Sequence, residues 1–211
     1  GSFRNITKNR TYFLPSLSIK KSLSSNLNLR FATSKTITRP ILIETLPIEY
    51  INPDNNNIVG NFDRPNATFG EDFRGLDNSQ NYNADLKIEF FPKNNELFAV
   101  NVFGKKIDRA IERSYIASGN STGTVITFFN AKSAILLGAE AEMNFGLDRF
   151  SENLTGFSFG ANATVIYSDV TRSDAQKEET NFENKRTLQG AAPWMINADL
   201  KYEYKNTSRL K

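Results

Sequence analysis

Cysteine and histidine are both missing from this chain of 211 residues. With them go thiolate and imidazole metal sites, cysteine nucleophiles and any Ser-His-Asp arrangement, since each needs one of those two side chains. Oxygen-ligand metals, carboxylate pairs and lysine chemistry remain open. A disulfide framework cannot form, which neither requires nor excludes an extracellular setting. No run of about 18 apolar residues occurs, so a membrane-spanning helix is not available and any crossing must be made by strands. The start at Gly1 shows no basic stretch followed by an apolar core. A signal peptide is therefore not read there, and an export signal is expected to have been removed or to lie upstream. Neither sign of charge dominates: 26 basic and 23 acidic residues give a net +3. They form no polybasic run, which argues against nucleic acid as a partner.

What is present is a strand pattern. The chain is 39% hydrophobic, with 17 Phe against 2 Met, and from Asn81 to Phe90 it alternates without a break. Tyr82, Ala84, Leu86, Ile88 and Phe90 fall on one side, and Asn81, Asn83, Asp85, Lys87 and Glu89 on the other, as in an extended chain. The same two-sided pattern returns at Leu137 to Leu147, Phe157 to Tyr167 and Trp194 to Tyr204. About seven strands are expected: Tyr12–Leu23, Leu27–Ile37, Asn81–Phe91, Glu96–Ile107, Thr124–Leu147, Leu154–Val170 and Ala192–Lys205. No helix of three turns or more is expected. The whole, residues 1–211, reads as one all-β domain, an antiparallel up-and-down meander.

The connections alternate in length. Ser24–Asn26, Pro92–Asn95 and Asp148–Asn153 are short, whereas Thr38–Gln80, Asp108–Gly123 and Thr171–Thr187 are long and polar. Long structureless loops are uncommon in compact domains, but membrane barrels carry short turns on one side and long loops on the other. The alternating runs also match the roughly 9 to 11 residues of a tilted transmembrane strand. Aromatic residues sit towards strand ends, at Phe90, Phe91, Phe145, Phe157, Trp194, Tyr202 and Tyr204, as interfacial girdles do. Charges at strand centres require a wet face, because a small barrel filled by its own side chains could not hide them cheaply.

Other features carry bland readings. Glu140 and Glu142 lie on one face and could be read as a glycosidase pair, but no positioned partner is visible, so no catalytic residue is assigned. Asp54–Asn57 lacks the Gly and the further oxygen ligand of a calcium loop, so neither a metal site nor a cofactor is assigned. Asn5-Ile6-Thr7, Asn66-Ala67-Thr68 and Asn120-Ser121-Thr122 fit a glycosylation pattern that Asn-rich and Ser/Thr-rich chains produce by chance.

Several segments resemble the C-terminal half of the barrel of TonB-dependent outer-membrane receptors, particularly those of Bacteroidetes. Asn28–Ala32 followed by Ser34-Lys35-Thr36 and Arg39-Pro40 is similar to a family strand ending before a long outer loop. Asn81–Pro92 resembles the next strand and its turn. Asn130-Ala131-Lys132 with Leu137–Glu142 resembles an N-x-x-x-A-x-x-x-G-x-E-x-E strand, and Leu188–Trp194 an L-Q-G-x-x-P junction. The resemblance implies a sector of a 22-stranded barrel in the bacterial outer membrane, lacking the plug and the final strands. It implies a non-enzymatic role in taking up a siderophore, glycan or peptide.

Its implied partners are outer-membrane lipid, TonB acting through a plug not present in this chain, and the imported ligand. It also allows a surface lipoprotein. The expected lumen-lining residues are Asp85, Lys87, Glu89, Glu140, Glu142, Asn162, Thr164, Asn197, Asp199 and Lys201. Because outer loops of the family help to capture ligand, Arg39, Tyr50, Arg64 and Arg74 are the expected ligand contacts. The rival reading is a soluble antiparallel β-domain that binds carbohydrate or protein on its charged face.

Overall fold

The computed structural model describes residues 9–45, 49–51, 53–54, 58–60, 76–116, 125–174, 177 and 185–203. Seven long strands form one antiparallel meander. They are β1 (Ser16–Ser22), β2 (Leu27–Thr38), β5 (Ser79–Phe90), β6 (Leu97–Asp108), β9 (Ser133–Gly146), β10 (Phe157–Thr171) and β12 (Trp194–Tyr202). Five short strands also occur among the described residues: β3 (Glu49–Ile51), β4 (Ile58–Gly60), β7 (Ile111–Ile116), β8 (Val125–Asn130) and β11 (Lys185–Arg186). A short α-helical piece, α1, spans Leu42–Thr45.

Short connections at one end of the meander are fixed by local chemistry. In the β1–β2 turn the Leu23 N–H donates to the Leu27 carbonyl at 2.8 Å and the Ser24 hydroxyl to Asn26 Oδ1 at 2.8 Å. Between β9 and β10 the chain makes two 3-10 turns, Leu147–Arg149 and Glu152–Leu154, and the Ser151 hydroxyl accepts from the Asn153 N–H. Gly156 follows at φ +91°, where a Cβ would come within 2.9 Å of the Glu203 carbonyl, so glycine is required on both counts.

The expected single strand Thr124–Leu147 is two strands in two sheets. β8 ends at Asn130, and β9 begins at Ser133 after a break at Ala131-Lys132. There the Ala131 N–H donates to the Ala110 carbonyl at 2.7 Å and the Lys132 N–H to the Thr171 carbonyl at 3.0 Å. Ala110, Ala131, Ala134 and Val170 form a small buried core at this crossing, with Ile107 and Leu188 against it. Small side chains let the backbones approach, and no Pro or Gly marks the bend in the sequence. β8 joins a separate sheet of order β3-β4-β8-β7, with β4 and β8 parallel. Ile126, Thr127, Phe128 and Phe129 of β8 are all buried, so both of its faces are covered.

The long segments are therefore partly built, against expectation. Asp108–Gly123 contains β7, Thr38–Gln80 contains α1, β3 and β4, and Thr171–Thr187 contains β11. The sequence-based reading missed them because two- to six-residue strands are too short to show alternation.

The two faces of the long sheet differ in an informative sense. Along β5 every even position from Tyr82 to Phe90 is exposed, with Leu86 41% and Ile88 48% accessible, whereas Glu89 on the opposite face is 6% accessible. A sheet lying on a soluble core has the reverse arrangement.

Candidate functional site

Cross-strand register decides which side chains share the polar face, because directly opposed residues point to the same side. One row runs Arg30, Lys87, Asn101, Glu140, Thr164 and Met195 across six strands. The next runs Asn28, Glu89, Ala99, Glu142, Asn162 and Asn197. Asp85 lies on the same side of β5, and Asp199 and Lys201 lie opposite Gly160 and Ser158. By register, the ten residues expected to line a lumen fall on one side of the sheet.

Several of them are joined. Arg30 Nε donates to Glu89 Oε2 at 2.7 Å, Lys87 Nζ lies 3.2 Å from Glu142 Oε2, and the same nitrogen is 4.0 Å from Glu89 Oε1. Positive and negative charges therefore alternate from β2 through β5 to β9. Ala99 stands between the two carboxylates in register, and its small side chain leaves room for Lys87 to bridge. Further along, Asn197 donates its amide to Asn162 Oδ1 at 2.8 Å. Asp199 lies over Gly160, where a Cβ would be 2.5 Å from Asp199 Oδ1. Phe103 likewise lies across Gly138, filling a space that a Cβ would contest at 2.3 Å. Asp85 and Glu140 form no ion pair among the described residues. Arg30 was not singled out from the sequence, although it alternates with the apolar Leu29 and Phe31 and parity alone places it.

At the end bearing the long connections, Asp77 is held from three directions. Arg10 reaches its Oδ1 at 2.5 Å, Arg109 reaches its Oδ2 at 3.1 Å, and its N–H donates to Asn130 Oδ1 at 2.7 Å. Asn130 also donates to the carbonyls of Asp77 and Arg109, both at 2.9 Å. Arg109 has φ +57°, a left-handed conformation that costs a non-glycine residue about 1 kcal/mol or more. Its carbonyl receives a further bond from the Ser79 hydroxyl at 2.8 Å, which offsets that strain. Hydrogen bonding to Tyr12 and then to Asp77 raises the Arg10 guanidinium above its ordinary value.

A cavity of about 310 Å³ opens beside this latch, lined by Arg10, Tyr12, Arg39, Leu76 and Asn78. Arg39, expected from the sequence, is thus brought to a pocket. Arg64 and Arg74 lie outside the described residues, and for Tyr50 only the backbone, in β3, is described. Arg10, Asp77, Arg109 and Asn130 were not expected at this site. Of these only Asn130 had a signal, as the first residue of the strand motif. Nearby, Arg186 pairs with the buried Glu112 at 2.8 Å. Burial, then the charge of Arg186, lower the pKa of the neighbouring Arg172, while Glu112 pulls it the other way.

The outward side of the same sheet is hydrocarbon bounded by aromatic rings. At the short-turn end, Phe98 stacks on Phe145 at 5.9 Å between ring centroids, Phe145 meets Phe159 at 5.8 Å, and Phe157 meets Tyr202 at 4.5 Å. At the other end stand Tyr82, Tyr167 and Trp194, all exposed. Tyr82 and Phe90 are eight residues apart, about 27 Å along a strand and about 20 Å vertically at a barrel's tilt. That is near the height of a membrane barrel's apolar band, about 25 Å.

A meander with its apolar face exposed and its charged face drawn inward is a sector of a β-barrel wall. The chain belongs to the TonB dependent receptor-like β-barrel family, whose model matches residues 1–210. No curated protein matches it. Among solved structures it is similar to the siderophore receptor PirA from Pseudomonas aeruginosa, with a TM-score of 0.60, 15% identity, and coverage of 90% of this chain and 30% of that one. It is similar to the copper transporter OprC, with a TM-score of 0.60, 13% identity, and coverage of 90% and 24%. A ferric enterobactin receptor from P. aeruginosa, in complex with enterobactin, gives a TM-score of 0.57 at 15% identity and coverage of 92% and 26%. The chain thus spans between about a quarter and a third of the solved receptors it matches. The family and these neighbours are receptors and a transporter, not enzymes.

Proposed function

We propose that this chain is part of the wall of a bacterial outer-membrane receptor that imports a ligand, with energy reaching it through TonB and a plug domain. The observation that carries this reading is the inverted burial of β5, with Leu86 and Ile88 exposed and Glu89 enclosed. On this reading the apolar side meets lipid, and Asp85, Lys87, Glu89, Glu140, Glu142, Asn162, Thr164, Asn197, Asp199 and Lys201 line the lumen. The free edges of β1 and β12 pair with further strands, since lipid satisfies no backbone group. The end bearing β3, β4, β7 and β8 faces outward from the cell, with Arg39 at the entrance. A siderophore, glycan or peptide is the cargo class, and a surface lipoprotein is a further partner on this reading.

The test uses the whole receptor in its own cells. Expected are recovery in the outer-membrane fraction, slower mobility on denaturing gels after boiling than before it, and uptake abolished when the proton-motive force is collapsed. A receptor soluble without detergent, or uptake indifferent to the proton-motive force, would overturn the proposal.

A further inference from the structure

The pocket beside Asp77 has an uneven distribution of charge. Its two guanidinium groups differ in commitment: Arg10 is bound to Asp77 at 2.5 Å, whereas Arg39 makes no ion pair or side-chain hydrogen bond among the described residues. Tyr12 and Asn78 are already joined, the Asn78 amide donating to the Tyr12 hydroxyl at 3.2 Å, which fixes both on the pocket wall. Leu76, buried at 5% accessibility, supplies the apolar part of the lining. A free guanidinium beside fixed hydroxyl and amide groups suits a planar or tetrahedral oxyanion, which it can hold by two parallel N–H bonds. The volume, about 310 Å³, is at the small end of ligand sites. It accommodates one anionic group and its immediate neighbours, not the whole of a large ligand.

We infer that this pocket is a subsite for an oxyanion of the incoming ligand, a carboxylate or a phosphate, with Arg39 as the binding cation and Arg10 held in place by Asp77. The inference deepens the receptor reading and rests on it for the statement that the pocket faces incoming ligand. Tyr12 and Asn78 define the wall against which the anion is oriented.

The experiment titrates the detergent-solubilised whole receptor with citrate, with inorganic phosphate and with uncharged maltose, followed by calorimetry. Saturable binding of citrate or phosphate, and none of maltose, is expected. Arg39→Gln should weaken it about tenfold, as for loss of a charge-assisted pair, and Arg39→Lys should restore part of it. Lys93→Ala, at the opposite end, should leave it unchanged. Citrate binding alone assigns a carboxylate, and phosphate binding alone assigns a phosphate. Should Arg39→Gln fail to assemble, Asp77→Asn provides the second reading. It removes a competing negative charge while the backbone of residue 77 keeps its bonds to Asn130, and anion binding should tighten.

Failure of both anions to saturate, equal affinity in Arg39→Gln, or unchanged or weaker binding in Asp77→Asn would overturn the subsite. Uptake in cells is scored separately. Intact energy-dependent uptake without anion binding removes the subsite alone, and anion binding without uptake removes the transport reading alone.

Discussion

Asn130 holds Asp77 by both of its backbone polar groups, its side-chain oxygen accepting the Asp77 N–H at 2.7 Å and its side-chain nitrogen donating to the Asp77 carbonyl at 2.9 Å. One primary amide thus imitates a strand partner where the chain passes from β8 into the meander, and by also bonding the Arg109 carbonyl it ties together three segments at the long connections. Asn130→Ala should cost about 2 kcal/mol, the worth of two or three such bonds at a half-buried site. Hydrogen exchange at residues 77, 109 and 131 should accelerate while the meander stays protected. Asn130→Asp, which keeps the acceptor and loses the donor, should fall between. Uniform acceleration throughout β5 and β9 would contradict a local clamp.

Leu86 and Asp85 are neighbours in sequence and face opposite sides of the sheet. Leu86→Arg places a charge on the exposed apolar face and should destabilise a membrane-inserted barrel by about 2–4 kcal/mol. Asp85→Arg, on the polar face, should be tolerated to within about 1 kcal/mol. Unfolding titrations of the receptor in lipid vesicles read both. Equal costs would contradict the assignment of faces.

Phe103 occupies the space over Gly138, so Gly138→Ala forces the ring aside or strains β9. The expected cost is about 1–3 kcal/mol. Combining it with Phe103→Leu should recover at least 0.5 kcal/mol of that penalty, the lower bound for residues in direct contact. Strict additivity in the double-mutant cycle would show that the ring moves freely.

Glu96 and Arg149 join two short turns at the end opposite the long connections. The Glu96 side chain is only 3% exposed, and Lys93 lies 3.9 Å from its other oxygen. Arg149→Ala should cost about 2 kcal/mol, less than the loss of a fully buried pair because Lys93 remains. Glu96→Gln in the same background should restore stability, since it removes the stranded charge. Failure of that rescue would mean that Arg149 acts through packing alone.

Much of the meander was legible in the chain. The order of the seven long strands, the short turns and the sharing of one face by residues from Asp85 to Lys201 all follow from local alternation and turn chemistry. The break at Ala131 was not legible. The apolar pattern runs straight through it, and the bend depends on Ala110, Val170 and Leu188, which are distant in sequence. The rim latch was hidden for the same reason: Arg10, Asp77, Arg109 and Asn130 come from four separate segments, and none stands out by residue type. Arg39 was reachable only through resemblance, and its pocket only through Tyr12, Leu76 and Asn78.

By itself, the sequence determined which face each side chain takes, because direction alternates with every residue of an extended chain whatever its partners. It also excluded cysteine and histidine chemistry by leaving those residues out. Which charges meet was decided only by the tertiary structure. The bridge from Lys87 to Glu142 requires β6 to lie between β5 and β9 with Ala99 in register with Glu89 and Glu142. A shift of a single residue in that pairing would preserve every alternation in the chain and turn those side chains to opposite faces.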